Sequence, residues 1–323
     1  MSDNSMTTRE FLVWPLICSC MAFCFGCVSG HGSGSQIADE DWAPEVEYPE
    51  FTRGQGPVVL VDAAHGNFHT IDGRFGAFAE LLRNDGYRVQ SADTPVSPEL
   101  LEQARIFVIS NAVYGGHDAE WLLPTPPAFT RDEIEVFVAW VESGGSLMLI
   151  ADHMPFPGAT ANLANAFGIV FLNGFAMESV EEGGILTFTR SSGSLADHGV
   201  TRGRSDAESI GSVMTFTGQA FRPVAPIQAL MHMPDDCEVL LPIEAWEFDE
   251  HTPRVSARGL IQGGTLNFGS GRVAVFGEAA MFTAQSYVQD GSVMRMGMNH
   301  PSAGENPQFV LNVMHWLSGL LDD

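Results

Sequence analysis

The sequence predicts an α/β domain: a doubly wound, mostly parallel sheet carrying a β-rich insertion. Three observations predict it. Strand-length segments at 58–63, 87–92, 105–112, 146–151 and 272–277, most of them apolar, alternate with segments of helical period. Two short acid-histidine clusters, Asp62-Ala-Ala-His65 and Asp152-His153, sit at the ends of two of those runs. Between about residues 174 and 258 the rhythm changes to short runs broken by Gly, Pro, Ser and Asp, with no helical period.

Each element has its own reason. Residues 58–63 are continuously apolar until Asp62, the pattern of a parallel strand buried on both faces. Apolar residues at Phe75, Phe78, Ala79, Leu81 and Leu82, ahead of Gly86, predict a helix with a glycine stop. Residues 87–92 form the next strand, 98–103 a short helix and 105–112 a third strand. Thr130, with Glu133 three residues on, makes a capping box for a helix reaching Ser143. Gly144-Gly145 turns the chain into the strand at 146–151, and 162–167 lie in another helix. The parallel pattern returns at 272–277, and a helix over 308–321 finishes the domain. Right-handed crossovers place helices on both faces and align the strand ends along one edge.

Ligands of open α/β sheets bind outside the carboxyl ends of the strands. Asp62, His65, Asp152, His153 and Glu278 all fall at such ends and are the candidate catalytic residues. Asn67 follows the first cluster, and His198 with Arg202 comes from a glycine-bent loop of the insertion suited to gripping a carboxylate or hydroxyl. His65, Asp152 and His153 offer oxygen and imidazole ligands of the kind that hold zinc, manganese or iron, and such an ion would activate water for hydrolysis. The structural reading stands beside this one: Asp62 and Asp152 accept hydrogen bonds from loop amides, with the histidines packed against them.

Composition closes several routes. The chain has no lysine, so its 15 basic side chains are all arginine, which excludes a P-loop lysine, a Schiff base and pyridoxal chemistry. A net charge of −25 repels nucleic acid and anionic headgroups. Residues 11–25 are apolar apart from Ser19 and end in Gly26-Cys27, which resembles a lipoprotein signal peptide over residues 1–27. Cys27 is the expected lipidated residue, with Cys20 the competing acceptor. Residues 28–56 read as a flexible linker. These features predict an exported chain, lipid-anchored in the cell envelope and touching the membrane only through that anchor. Cys237 is then the one cysteine of the folded part, so no internal disulfide forms there.

Asp62-Ala-Ala-His65-Gly-Asn67, the helix and strand over 75–89, and the run from Gly144 to His153 together resemble a family of bacterial secreted proteins with a class I glutamine amidotransferase-like domain. The carboxyl-terminal pattern, Gly271 to Glu278 followed by Asn306, Phe309, Asn312 and Trp316, is similar to the related domain of gliding-motility transporter accessory proteins. The resemblance implies a flavodoxin-like core over 57–323, with the insertion outside it. It also implies a cysteine nucleophile on a sharp turn. Here the best-matching turn carries Asp152 and His153, and Cys237 lies in the insertion, so glutaminase activity is not expected. Asn299-His300-Pro301 is similar to the His-Pro-Glu of amidotransferases and marks His300 as a ligand-binding candidate. Two functions stay open: an envelope protein that binds a small polar molecule, a glycan or a partner protein at the sheet edge, and a metal-assisted hydrolase using Asp62, His65, Asp152 and His153.

Overall fold

The computed structural model describes residues 35–180, 183–224, 226–289 and 291–323. The predicted signal segment, with Cys20 and Cys27, lies outside the described residues. The chain opens with β1 (Ser35–Ala38) and then alternates: β2 (Val58–Asp62), α1 (Gly76–Asn84), β3 (Arg88–Ala92), α2 (Pro98–Leu101), β4 (Ile106–Ser110), α3 (Arg131–Glu142), β5 (Ser146–Ile150) and α4 (Phe156–Ala166). Short elements follow: β6 (Ile169–Phe171), β7 (Phe175–Met177), β8 (Leu186–Thr189), α5 (Gly199–Arg202), β9 (Ser212–Thr215), β10 (Phe221–Pro223), β11 (Gln228–His232), β12 (Glu238–Leu240) and β13 (Arg254–Ser256). The last elements are β14 (Ile261–Phe268), β15 (Gly271–Phe276), β16 (Ala284–Gln289), β17 (Ser292–Gly297) and α6 (Asn306–Ser318).

The central sheet has nine strands in the order β3-β2-β4-β5-β15-β14-β10-β6, with β11 also on β14. All five strands expected to share a sheet are neighbours in its parallel half, β3-β2-β4-β5-β15. The other half is antiparallel. The sheet is therefore mixed, where the sequence predicts a mostly parallel one. The cause is local: β14 and β15 are joined by a tight hairpin turn, which only antiparallel strands accept, and the insertion then adds β10 and β11 to the far side of β14. The remainder of the insertion is β-rich as predicted, with β7, β12 and β13 in one small sheet and β8 with β9 in a ribbon.

Alternation along each parallel strand splits the core in two. Val59, Val61, Ile106, Val108, Met148 and Ile150 face one way and pack with Phe78 and Leu82 of α1 and Phe309 and Val313 of α6. Leu60, Phe107, Ile109, Leu147 and Leu149 face the other, against Leu101 of α2, Phe137 of α3 and Leu163 of α4. Helices thus cover both faces and leave the strand ends clear for a site. Among the described residues, no helix is long and apolar enough to cross a membrane.

The stretch read as a flexible linker is structured from Ser35 onward. β1 pairs antiparallel with β16, which pairs with β17. Further along, the Glu50 amide donates to Asp85 at 2.7 Å, and the other oxygen of Asp85 takes Nε2 of His315, on α6, at 2.7 Å. Phe51 sets its ring edge against Tyr87 at 5.2 Å. Gly86, at φ 95°, makes this possible, since a Cβ there would lie 2.3 Å from the Phe51 carbonyl. The segment's polar composition hid these contacts because they are made by a few anchoring residues rather than by an apolar face.

Candidate functional site

The structure separates the five candidate catalytic residues into two groups. Asp62, at the end of β2, and His65 form the first. His65 Nδ1 lies 2.8 and 2.9 Å from the two Asp62 oxygens, while Nε2 lies 2.8 Å from Glu133 Oε1 on α3. Each ring nitrogen faces a carboxyl group, an arrangement that favours the doubly protonated imidazolium. Burial works against that charge, but Asp62 and Glu133 outweigh it and hold the pKa above its ordinary value. Burial also opposes ionisation of Glu133; hydrogen bonds from His65 and Thr130 win and bring it down to about 2.

An imidazolium has no lone pair, so this His65 is neither a general base nor a metal ligand. It is a brace at the point where the strand order reverses, between β2 and β4, on the wall of a cleft of about 470 Å³ that Val113 and Tyr114 also line. Asn67 serves the same brace, accepting from the His65 amide at 3.2 Å and donating to the Ser110 carbonyl at 3.3 Å. Gly66 completes the turn at φ 63°, where a Cβ would sit 2.3 Å from the Val113 carbonyl.

The second group, Asp152, His153 and Glu278, lines a cavity of about 80 Å³ at the ends of β5 and β15. Phe68 and His69 reach it from the loop after β2, Asn111 from the end of β4, Trp246 from the insertion, and Gln36 and Gln285 from β1 and β16. The Asp152 amide donates to Asn111 Oδ1 at 2.9 Å, and Asp152 Oδ1 accepts from the His153 amide at 2.7 Å. The two Glu278 oxygens accept from the amides of Ala280 and Met281 at 2.7 and 2.8 Å. Burial raises the pKa of both carboxyls; the negative charge of Asp152 adds to it at Glu278, while the charge and amide of His153 moderate it at Asp152. Two acids so placed resist carrying two negative charges together.

His153 donates through Nδ1 to the Met154 carbonyl at 2.7 Å, which in the neutral ring leaves Nε2 as an acceptor. Its ring stacks on Phe175 with centroids 4.7 Å apart and meets the Trp246 edge at the same 4.7 Å. His69 stays neutral, its pKa lowered to about 3 first by burial and then by Arg74 and His153.

Backbone strain marks this pocket. Among the described residues, the non-glycine residues at positive φ are Asn111, at 53°, and Trp246, at 70°, and both line it. Asparagine tolerates that conformation; a bulky tryptophan is an outlier there. The left-handed turn thus falls on Asn111 after β4, not on Asp152 as an elbow-like nucleophile would need.

The remaining candidates lie elsewhere. His198 caps α5, accepting from the Val200 amide at 3.0 Å, with Nε2 near Thr265 at 3.2 Å. Arg202 pairs with Asp197 on the surface at 3.4 Å. His300 accepts from the Ser302 amide at 3.1 Å and only backs the pocket wall, edge-on to Phe216 at 5.5 Å. The Cys237 thiol is buried, and burial followed by the charges of Glu178 and Asp236 pushes it up to about 12. A divalent ion does not fit Asp62, His65, Asp152 and His153, because His65 has no free nitrogen and lines a different cleft from Asp152 and His153. Among the described residues, the acidic and thiol groups close enough to share an ion are Glu178, Asp236 and Cys237, within 4.8 Å of one another.

Sequence reasoning found Glu133 as a capping residue, and it is one, accepting from the Thr130 amide at 2.9 Å. Its bond to His65 spans 68 residues and has no local signal. Gln36 and Gln285 were missed for the same reason, whereas an asparagine at a strand end could have suggested the turn at Asn111.

No family model and no curated protein matches the chain. Among solved structures, the mmIFT52 N-terminal domain is similar at TM-score 0.55 and 15% identity, covering 81% of this chain and 97% of that one. A ThuA-like protein from Bacteroides uniformis follows at TM-score 0.47 and 11% identity, over 85% and 94% of the two chains. A cytoplasmic protein from Salmonella typhimurium gives 0.46 and 13%, over 81% and 98%. The expected tie to gliding-motility transporter accessory proteins is corrected by these findings, since none of these neighbours carries that description. What the chain shares with the mmIFT52 domain is an α/β fold with a mixed sheet.

Proposed function

We propose that this chain is a flavodoxin-like, amidotransferase-like domain that binds a small polar molecule or glycan in the Asp152–Glu278 pocket. Numbering the parallel strands in chain order gives 2-1-3-4-5, the flavodoxin-type arrangement, which supports the fold reading. The observation that carries the functional reading is the coincidence of strain and buried charge. Among the described residues, both left-handed non-glycine residues meet the buried acids Asp152 and Glu278 at one small cavity. Strain of this kind persists where function requires it.

Trp246→Gly tests the reading. Glycine removes about 1–2 kcal/mol of left-handed strain, and loss of the half-exposed indole removes stacking of about 0.5–1.5 kcal/mol per ring pair. The expected result is a Tm within a few degrees of wild type together with loss of ligand binding, read by NMR against a panel of polar metabolites and oligosaccharides. Retained binding in Trp246→Gly, or no binding by the wild-type chain to any member, overturns the reading.

The function is placed in the cell envelope, through a lipid on Cys27, with an envelope protein as a further partner and no nucleic acid. The apolar run before Gly26-Cys27 supports this. Cells fed a clickable fatty acid are expected to label the wild-type chain and not Cys27→Ser; loss of label in Cys20→Ser alone moves the acceptor to Cys20.

A further inference from the structure

The pocket has a chemical polarity that narrows its ligand. In a chain with 15 arginines, none lines the cavity, so no guanidinium answers the two buried carboxyls there. Arg74 holds its guanidinium 4.2 Å from the centre of the Phe68 ring and donates to the Gln36 carbonyl at 3.2 Å. The lining carries side-chain amides, on Gln36, Asn111 and Gln285, that both donate and accept, and beside them a set of stronger acceptors. Asp152 and Glu278 contribute carboxyl oxygens and His153 contributes Nε2. Thr217 adds no donor, because its hydroxyl is bound to the Phe216 carbonyl.

An independent observation points the same way. Gln285 is 1% exposed and lines the cavity, yet its Oε1 has no hydrogen-bond partner. A buried amide oxygen left without a donor is costly unless something else supplies one. The walls beside these acceptors are aromatic: Phe156, Phe216 and the half-exposed Trp246. Acidic acceptors within an aromatic wall are the chemistry that recognises an organic ammonium ion, whose N–H groups go to oxygens and whose carbons lie on ring faces.

We propose that the pocket binds a primary ammonium group, free or at the end of a larger polar molecule, with Asp152, Glu278 and Gln285 Oε1 as its acceptors and Trp246 over its methylene carbons. The cavity of about 80 Å³ suits an ammonium with two or three further heavy atoms. This inference rests on the reading of the pocket as a binding site and names the class of its ligand.

The experiment titrates the full chain with ethanolamine at neutral pH, following Trp and His resonances, beside ethylene glycol as the neutral isostere and potassium chloride as the ionic-strength control. The expected result is saturable perturbation of Trp246 and His153 by ethanolamine, with ethylene glycol weaker by about tenfold or more and potassium without effect. Gln285→Met, similar in size and without the amide oxygen, is expected to weaken ethanolamine severalfold while leaving the fold intact. Equal binding of ethylene glycol, or an equal response to potassium, overturns the ammonium assignment while a polar-ligand pocket stands. Silence toward all three probes also overturns it, and the pocket reading is then decided separately by the metabolite panel and Trp246→Gly.

Discussion

His65→Ala is expected to lower the Tm by roughly 10 °C. The substitution strands Asp62 and Glu133 as buried carboxylates without their shared cation, and breaking a buried pair in this way costs about 3–5 kcal/mol; each kcal/mol is worth roughly 2–4 °C in a domain of this size. The pH dependence has a definite sign. The His65 pKa is raised on folding, so its contribution is complete below its unfolded value of 6.5 and fades as pH rises through the raised folded value. Glu133 is depressed from 4.5 to about 2, so its contribution is complete above 4.5 and is lost as pH falls through about 2. The gap between wild type and His65→Ala is therefore widest between pH 4.5 and 6.5. Thermal melts across that range check it, and a His65→Ala variant as stable as wild type at pH 5.5 refutes the brace.

Asp152→Asn is expected to do the opposite at neutral pH. Both carboxyls of the pocket are raised on folding, so the folded state gains below the ordinary carboxylate range and loses that advantage as pH climbs through the range toward the raised values. At pH 7 the pair is a liability to folding. Asparagine keeps an oxygen to accept from the His153 amide and removes one charge. The Tm at pH 7 should rise, by roughly 2–4 °C for each kcal/mol of repulsion relieved, and the gain should vanish near pH 4. Ethanolamine binding should fall by about tenfold or more at the same time. A Tm lowered equally at both pH values would make Asp152 a structural acceptor and no more. Gaining stability while losing binding is the expected behaviour of a residue kept for its site.

The parallel half of the sheet was legible because most of its strands are continuously apolar and the first four are separated by helices, one of them with a capping box at Thr130 and Glu133. The antiparallel half was not, because β6 and β10 are three residues each, too short for any periodicity to register. At the site, Asp152, His153 and Glu278, each at a strand end, line one cavity. A strand end also placed Asp62 and His65 at the sheet edge, but nothing local showed that Glu133 would occupy the second imidazole nitrogen and turn a candidate base into a brace. Gln36 and Gln285 became pocket residues through strand pairing between segments about 250 residues apart, and such pairing leaves no mark on either segment alone.

β1 also changes what the amino-terminal region is for. Gln36 belongs to the pocket wall, and its carbonyl holds Arg74, so a strand that read as tether contributes a residue to the cavity. A recombinant chain begun at residue 39 would fold its sheet and lack that residue. The hydrogen bonds of β1 to β16 tie Gln36 to the strand that carries Gln285, so loss of β1 is expected to loosen both of these pocket residues at once.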